Sequence, residues 1–347
     1  MPYETEPTVP QRQGEETLDP SWEPMADADP PAELEILRDE PVARYTSFRI
    51  GGPADFLARP ADAASLGAAL AWARDARLPV TIIGGGSNLI CSDLGVRGLA
   101  ITFRAVRNPV EILDDGKIVR VRVPAERMLS GIARWCCEQG WSGLDWAVGL
   151  PGTVGGAVAN NAGAHGTEMI DTIESVTIMG PDGVEQTHER SWLRARYRHT
   201  VLRSPDPTER PAGTVVVAVT LRLQRGDRDA LLALADEHAA WRKEHQPRQP
   251  CAGSIFKNPP GTYAGLLIEE AGLKGYQVGG VQISPLHANF IVNVSVGKAS
   301  AADVQAVIRH AQQTVFVRTG IRLETEVEFI GEWNDEVSTK YELRTTK

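Results

Sequence analysis

The stretch "GLPGTVGGAVANNAGAHG", residues 149–166, contains six glycines and no Asp, Glu, Lys or Arg. A backbone stripped this bare allows close approach and presents N–H groups without fixed charge. Such amides can bind a pyrophosphate, because nests and helix starts supply donors and partial positive charge. A second glycine-dense loop, "GGGSN" at 84–88, follows the apolar run "VTII" at 80–83. One such loop alone reads as tight turns, whereas two together favour a dinucleotide ligand. Neither is a G-x-G-x-x-G opening a helix inside a Rossmann unit, and no G-x-x-x-x-G-K-[ST] occurs, so both common nucleotide fingerprints are absent.

Outward from these loops, the pattern is mixed α and β. "SFRIGGPADFLARP" (47–60) alternates around Gly51-Gly52 and predicts a strand interrupted by a close backbone approach. Residues 61–76 predict a helix and 80–83 a strand, so the first glycine loop follows a βαβ-like unit, at a strand end where ligands tend to sit. "KIVRVRV" (117–123) alternates as a half-buried strand, and a helix follows around 126–141. Strands are expected at 174–179 and 214–223, with a turn at "PDG" (181–183). Helices are expected at 228–243 and 301–318, the second opened by Ser300 and Asp303 in a capping arrangement and closed by Gly320. A strand over 321–330 ends the pattern. The "RLETEVEF" part would present Arg322, Glu324, Glu326 and Glu328 on one face, which reads as solvated.

Composition narrows the class. The 347 residues are 42% hydrophobic and 23% charged, as in a soluble globular protein. The net charge of −9 is local: residues 1–35 hold ten acids and one base, leaving 35 of each sign in the rest. That stretch also has seven prolines and no apolar periodicity, so it reads as a disordered acidic tail. The absence of a basic surplus argues against a nucleic-acid partner. No signal-peptide pattern and no apolar run of about 18–20 residues occurs, which argues against secretion and a membrane partner. Cys91, Cys136, Cys137 and Cys251 lack C-x-x-C spacing and read as reduced thiols in a cytoplasmic protein. No residue is a candidate metal ligand.

Eight blocks then occur in order: "FRIGGPADF", "IIGGGSNL", the opening stretch, "YRHTVLR", "AGSIFKNP", "GLKGYQVGGVQIS", "HANFIVN" and "LETEVEFIG". From about residue 40 to 332 the chain resembles the UDP-N-acetylenolpyruvoylglucosamine reductase family. The resemblance implies an α+β fold: a vanillyl-alcohol-oxidase/PCMH-type FAD-binding fold plus a smaller C-terminal α+β substrate-binding domain. The expected divisions are a tail at 1–36, FAD-binding subdomains at 37–105 and 106–224, a substrate-binding domain at 225–335 and an extension at 336–347. The chain lacks the insertion that carries a tyrosine over the substrate in one subgroup, so it resembles the shorter subgroup, and neither Tyr263 nor Tyr276 is expected as a lid.

The resemblance also implies the chemistry: reduction of the enolpyruvyl ether of UDP-N-acetylglucosamine to a lactyl ether for peptidoglycan synthesis. Non-covalent FAD would pass hydride from NADPH, the co-substrate, to the vinyl carbon. Arg198 would stabilise negative charge on the substrate carboxylate, Ser254 would supply the proton, and Glu326 would stand opposite the serine. From the residues alone, Arg198 reads as a surface arginine, Ser254 as a turn cap, and Glu326 as no different from its neighbours. Expected flavin contacts are Arg49, Ile50, Gly51, Gly84, Gly85, Gly86, Ser87, Asn88, Gly149, Pro151, Gly152, Gly155, Asn160, Asn161, Gly163 and His165. Expected substrate contacts are Tyr197, Lys257, Asn258, Lys274, Arg242 and His287, the last reading equally well as a structural histidine. The expected partner is the small-molecule substrate, with no protein partner. Another FAD-dependent oxidoreductase on the same scaffold, or a non-enzymatic binding module, stays open at this point.

Overall fold

The computed structural model describes residues 30–31, 34–103, 110–114, 116, 118–204, 206, 208–209 and 213–333. Nearly all of the expected tail, and the extension at 336–347, lie outside the described residues. Among the described residues, no helix is long and apolar enough to cross a membrane.

The first unit comprises β1 (Ile36–Pro41), β2 (Pro53–Ala58), α1 (Ala63–Asp75), β3 (Val80–Ile83), β4 (Leu89–Cys91) and β5 (Val96–Thr102). Helix α1 begins where it does because Asp62 and Ser65 form a reciprocal capping box, with the Asp62 carboxylate accepting from the Ser65 amide at 2.8 Å. Its Leu66, Ala69, Leu70 and Ala73 pack against Leu99 and Ile101 of β5. The sheet order is β1-β2-β5-β3, with β2 and β3 both parallel to β5 between them. This is the anticipated βαβ-like unit. The "SFRI" run is not part of its strand. It lies in the loop before β2, and Phe48 and Ile50 are buried in the core of the C-terminal unit. Complete burial of Phe48 is worth roughly 1.5–3 kcal/mol, which here joins two parts of the chain.

The middle unit contains β6 (Glu111–Asp114), β7 (Val119–Pro124), α2 (Leu129–Glu138), β8 (Trp141–Ser142), α3 (Val154–Ala159), β9 (Gly163–Ala164), β10 (Thr167–Glu168), β11 (Ile173–Met179), β12 (Glu185–Glu189), β13 (Val215–Arg225) and α4 (Arg228–His245). An antiparallel sheet runs β12-β11-β13-β7-β6, with β8 attached to β13. Val119, Val121 and Val123 alternate inward and pack with Leu129, Ile132 and Ala133 of α2. The "PDG" turn leads from β11 into β12 rather than straight to β13. Strand β12 reads "EQTHE" and is mostly exposed at a sheet edge, so it has no apolar alternation to announce it.

The third unit is β14 (Cys251–Ser254), α5 (Ala264–Glu270), β15 (Gln277–Val278), β16 (Val281–Ile283), β17 (Phe290–Asn293), α6 (Ala301–Thr319) and β18 (Glu328–Ile330). Its antiparallel sheet, β14-β17-β16-β15, packs on α5 and α6. Helix α6 starts with the anticipated Ser300–Asp303 capping box and ends at Gly320. The strand expected over 321–330 forms only at β18, which pairs in parallel with β4 of the first unit. Before it, a single bridge joins Thr325 to Phe256. Strand β18 thus returns to the first unit just beside the 84–88 loop.

Candidate active site

A cavity of about 2070 Å³ opens where the three units meet. Of the expected residues, Arg49, Gly84, Gly85, Gly86, Ser87, Asn88, Gly149, Pro151, Gly152, Gly155, Asn160, Gly163, His165, Arg198, Arg242, Ser254, Asn258 and Glu326 line it. Its walls also include Cys251, Trp241, Tyr263 and His238. The expected residues Ile50, Gly51, Asn161, Tyr197, Lys257, Lys274 and His287 do not line it.

The glycine loops form one side and touch each other. A Cβ on Gly85 would stand 2.6 Å from the Gly152 Cα, and one on Gly152 would stand 2.7 Å from the Ser87 hydroxyl. Much of the missing side-chain volume therefore accommodates the partner loop. The amides differ as well. Among the described residues, none accepts from the amides of Gly85, Gly86 or Ser87. In the longer loop the amides of Val154 and Gly155 donate to Arg127 and Ala125, and those of Gly149 and Gly156 donate to the Ser130 and Thr153 hydroxyls. Unspent donors beside a large concavity, with no carboxylate among residues 84–88, suit a pyrophosphate and a flat ring system. The residues present fit FAD.

Three expected cofactor residues serve the scaffold instead. The Asn161 side chain is buried and its amide is spent internally, donating to Glu168 at 2.8 Å and the Arg196 carbonyl at 3.0 Å while accepting from the Ile170 amide at 3.0 Å. Ile50 belongs to the C-terminal core, and Gly51 packs on Cys91, so neither reaches the cavity. Asn160 does line it, accepting from Arg203, which also pairs with Glu328 at 3.2 Å.

At the other side, Arg198 and Glu326 come together from segments 128 residues apart. The Arg198 Nε donates to Glu326 at 2.8 Å and a terminal nitrogen donates to the Gly163 carbonyl at 2.7 Å; Glu168 stands 3.6 Å away. Both side chains are only about one-seventh exposed, at 15% and 14%. Glu326 is held in place from two sides, its amide donating to the Ile255 carbonyl at 2.8 Å and its carbonyl accepting from the Asn88 side chain at 3.1 Å. Burial raises its pKa, and the Arg198 guanidinium opposes that rise. The reading of 322–328 as a uniformly solvated face is thereby corrected. Glu324 fits it at 73% exposure, whereas Glu326 turns inward into an ion pair. Ser254, at the end of β14 and opposite Phe290 of β17, lines the same cavity.

The substrate residues separate likewise. Asn258 and Arg242 line the cavity, and the Arg242 Nε is buried without a partner among the described residues, a donor awaiting an acceptor. Lys257 pairs with Glu324 and Lys274 with Glu269 at 2.7 Å, both directed outside the cavity. His287 packs edge-on against Phe290, accepts from the Asn289 amide at 3.2 Å, and has its pKa lowered by burial, which is the structural reading of that residue. Tyr197 lies beneath the Arg198 guanidinium at 4.9 Å and is 45% exposed.

Two features escaped sequence reasoning. His165 stacks on His238 of α4 at 3.9 Å, with Trp241 edge-on beside it, and burial together with His238 and Arg242 lowers the His165 pKa. The signal was "HAAWRKEH" (238–245), whose cavity-facing residues are spaced by one helical turn. Tyr263, not expected over the substrate, lies at the cavity wall and is 68% exposed.

Residues 54–188 match the FAD binding domain family, and residues 246–330 match the family described as UDP-N-acetylenolpyruvoylglucosamine reductase, C-terminal domain. A UDP-N-acetylenolpyruvoylglucosamine reductase of Synechococcus elongatus is 43% identical over 305 residues, 87% of this chain and 97% of the relative. UDP-N-acetylenolpyruvoylglucosamine reductase 1 of Bacillus anthracis is 40% identical over 297 residues, covering 85% and 95%. The crystal structure of the Thermus caldophilus UDP-N-acetylenolpyruvylglucosamine reductase superposes with a TM-score of 0.69 at 33% identity, covering 86% of this chain and 98% of that one. The fold is the FAD-binding α+β architecture with its smaller C-terminal domain that the motifs implied. This chain, an oxidoreductase that binds FAD, belongs to the UDP-N-acetylenolpyruvoylglucosamine reductase family.

Proposed function

We propose that the protein reduces the enolpyruvyl ether of UDP-N-acetylglucosamine to the lactyl ether, with NADPH as reductant, as a cytoplasmic step toward peptidoglycan. The observation that carries this reading is the buried Arg198–Glu326 pair, facing the same cavity as Ser254 and the free loop amides. FAD, when bound, supplies hydride transfer between NADPH and the substrate alkene. The chain's own residues must place that alkene and manage charge and one proton.

Reduction at the vinyl carbon drives electrons toward the substrate carboxylate. Arg198, fixed by Glu326 and Gly163, is a preorganised cation for that charge, and one good donor of this kind is typically worth about 3 kcal/mol in the transition state. Ser254 supplies the proton to the adjacent carbon. Its hydroxyl is a poor acid, so the alkoxide left behind needs nearby charge stabilisation. Glu326, accepting from the Arg198 Nε at 2.8 Å and facing the same cavity as Ser254, stabilises the enol intermediate together with that guanidinium. The unpartnered Arg242 Nε, on α4 of the middle unit, and the Asn258 side chain, from the third unit, face the same cavity and would hold the diphosphate.

The test uses colour. Flavin absorption of the FAD-loaded protein should bleach with NADPH and return on adding the enolpyruvyl sugar nucleotide but not plain UDP-N-acetylglucosamine. Equal recovery with both would reject this substrate, and recovery with neither would point to another flavin oxidoreductase.

A further inference from the structure

The "HANFIVN" run contributes only Phe290 to the cavity wall, yet Asn289 within it is 3% exposed and polar. Its side chain makes both backbone hydrogen bonds of one residue, Phe256. The oxygen accepts from the Phe256 amide at 2.9 Å and the nitrogen donates to the Phe256 carbonyl at 2.8 Å. The Asn289 carbonyl also accepts from the Ile255 amide at 2.9 Å.

On the opposite edge of the same segment, the Ile255 carbonyl accepts from the Glu326 amide at 2.8 Å and the Lys257 amide donates to the Glu324 carbonyl at 2.9 Å. Residues 255–257 are therefore held between 324–326 on one side and a single residue, Asn289, on the other. The side chain is needed because β17 begins only at Phe290, whose amide turns back to the His287 carbonyl at 3.0 Å, so no backbone continues alongside Phe256. A carboxamide has an acceptor and a donor spaced like those of a backbone, and an apolar residue of the same volume would orphan both groups.

Ser254 is the residue before this segment, and Glu326 hangs from its far edge. The spatial relation between the two runs through Ile255 and Phe256, the two residues that Asn289 holds. We propose that Asn289 is a positioning residue for the reduction step, setting the Ser254 hydroxyl against the Glu326 carboxyl without touching substrate. The proposal rests on the roles given above to those two residues.

The test compares wild type and Asn289→Asp, each as the full chain loaded with FAD. Asp matches Asn in shape but presents an oxygen to the Phe256 carbonyl in place of a donor. Bleaching by NADPH needs neither Ser254 nor Glu326, so it should stay within about twofold of wild type, as should the substrate Kd read from flavin spectral perturbation. Recolouring by the enolpyruvyl nucleotide should slow by about 10²-fold, the order of loss for a small misplacement of reacting groups. Adding Glu326→Gln to Asn289→Asp should cost far less than the product of the two single losses, because both act through one arrangement. Unchanged recolouring, or strictly multiplicative losses, would overturn the proposal. Should Asn289→Asp fail to take up FAD, Asn289→Ser decides by the same ratio of half-reactions, and loss of flavin in both variants would reduce Asn289 to a general structural residue. A wild type that never recolours with the nucleotide sinks the functional reading itself, whereas a competent wild type beside a competent variant sinks only the positioning role.

Discussion

The two ends of the cavity are built from different materials. At the glycine loops the chemistry is carried by backbone: among the described residues the amides of Gly85, Gly86 and Ser87 stay unspent while the loops pack on one another. At the far end it is carried by side chains, with Arg198 and Glu326 paired at 2.8 Å and drawn from segments 128 residues apart. Backbone sites depend on conformation and tolerate no added volume, whereas side-chain sites depend on functional groups that can be exchanged without moving the chain. Damage at one end should therefore remove the cofactor, and damage at the other should leave it bound and idle.

Gly86→Ala should give the largest effect. Gly86 has φ +62°, and an added Cβ would lie 2.0 Å from the Tyr45 carbonyl oxygen, which belongs to backbone and cannot swing away. Strain plus overpacking should cost about 3 kcal/mol or more. The expected product is a colourless protein with a lowered denaturant midpoint. A yellow, normally stable Gly86→Ala protein would break the backbone half of the comparison.

Glu326→Gln should do the reverse, retaining flavin while turnover falls about 10²–10³-fold, the loss typical of one preorganised donor. The same variant has a pH signature. Because burial raises the Glu326 pKa in the folded protein, the native state holds this proton more tightly than the unfolded chain does. Its stabilising contribution is complete below the ordinary carboxyl value of about 4 and is lost as pH rises through the raised value. Denaturation curves at increasing pH should show the wild type losing stability relative to Glu326→Gln across that window. Parallel curves would mean the carboxyl is not held as described.

A milder effect is expected from Asn161→Ala, which separates scaffold from cofactor contact within the longer loop. The variant leaves the Ile170 amide without its acceptor and removes two donated bonds, so about 2–3 kcal/mol of stability should go, measured by urea unfolding. Flavin affinity of the folded fraction should be little changed. A large loss of affinity at normal stability would return Asn161 to the flavin wall.

Much of this was legible in the sequence, for identifiable reasons. Helix α2 is strongly amphipathic, and α6 has its capping box and terminal glycine, so local signals agreed with the fold. Strand β12 was missed because "EQTHE" lies at an edge and packs little. "SFRI" looked like strand because Phe48 and Ile50 alternate with polar residues, but the burial behind that pattern is supplied by the distant C-terminal core. The same limit governs the site. Nothing local distinguishes Glu326 from Glu324, since its partner Arg198 is brought in by tertiary structure, and only the motif resemblance selected it. Conversely, Asn161 beside Asn160 looked like a pair of ligand groups, and the positive φ of Asn161, +42°, aims it into the protein instead.

The smallest effect should come from Gly166→Ala, and it bears on what a glycine count can mean. Gly166 closes the same stretch that opens with Gly149, and its φ of +81° resembles the +62° of Gly86. The two positions are equally unusual by dihedral angle, so conformational strain alone predicts similar costs, about 1–2 kcal/mol each. Space is what separates them, for an added Cβ at Gly166 meets nothing within 4 Å. Gly166→Ala should thus lose only about 1–2 kcal/mol and keep its flavin, while Gly86→Ala bears the same strain plus a backbone collision. If the two variants lost flavin alike, the free amides of 84–88 would have no special standing over the rest of the glycine backbone. Differing losses would show that contact geometry, rather than glycine density, marks the part of each loop that faces a ligand.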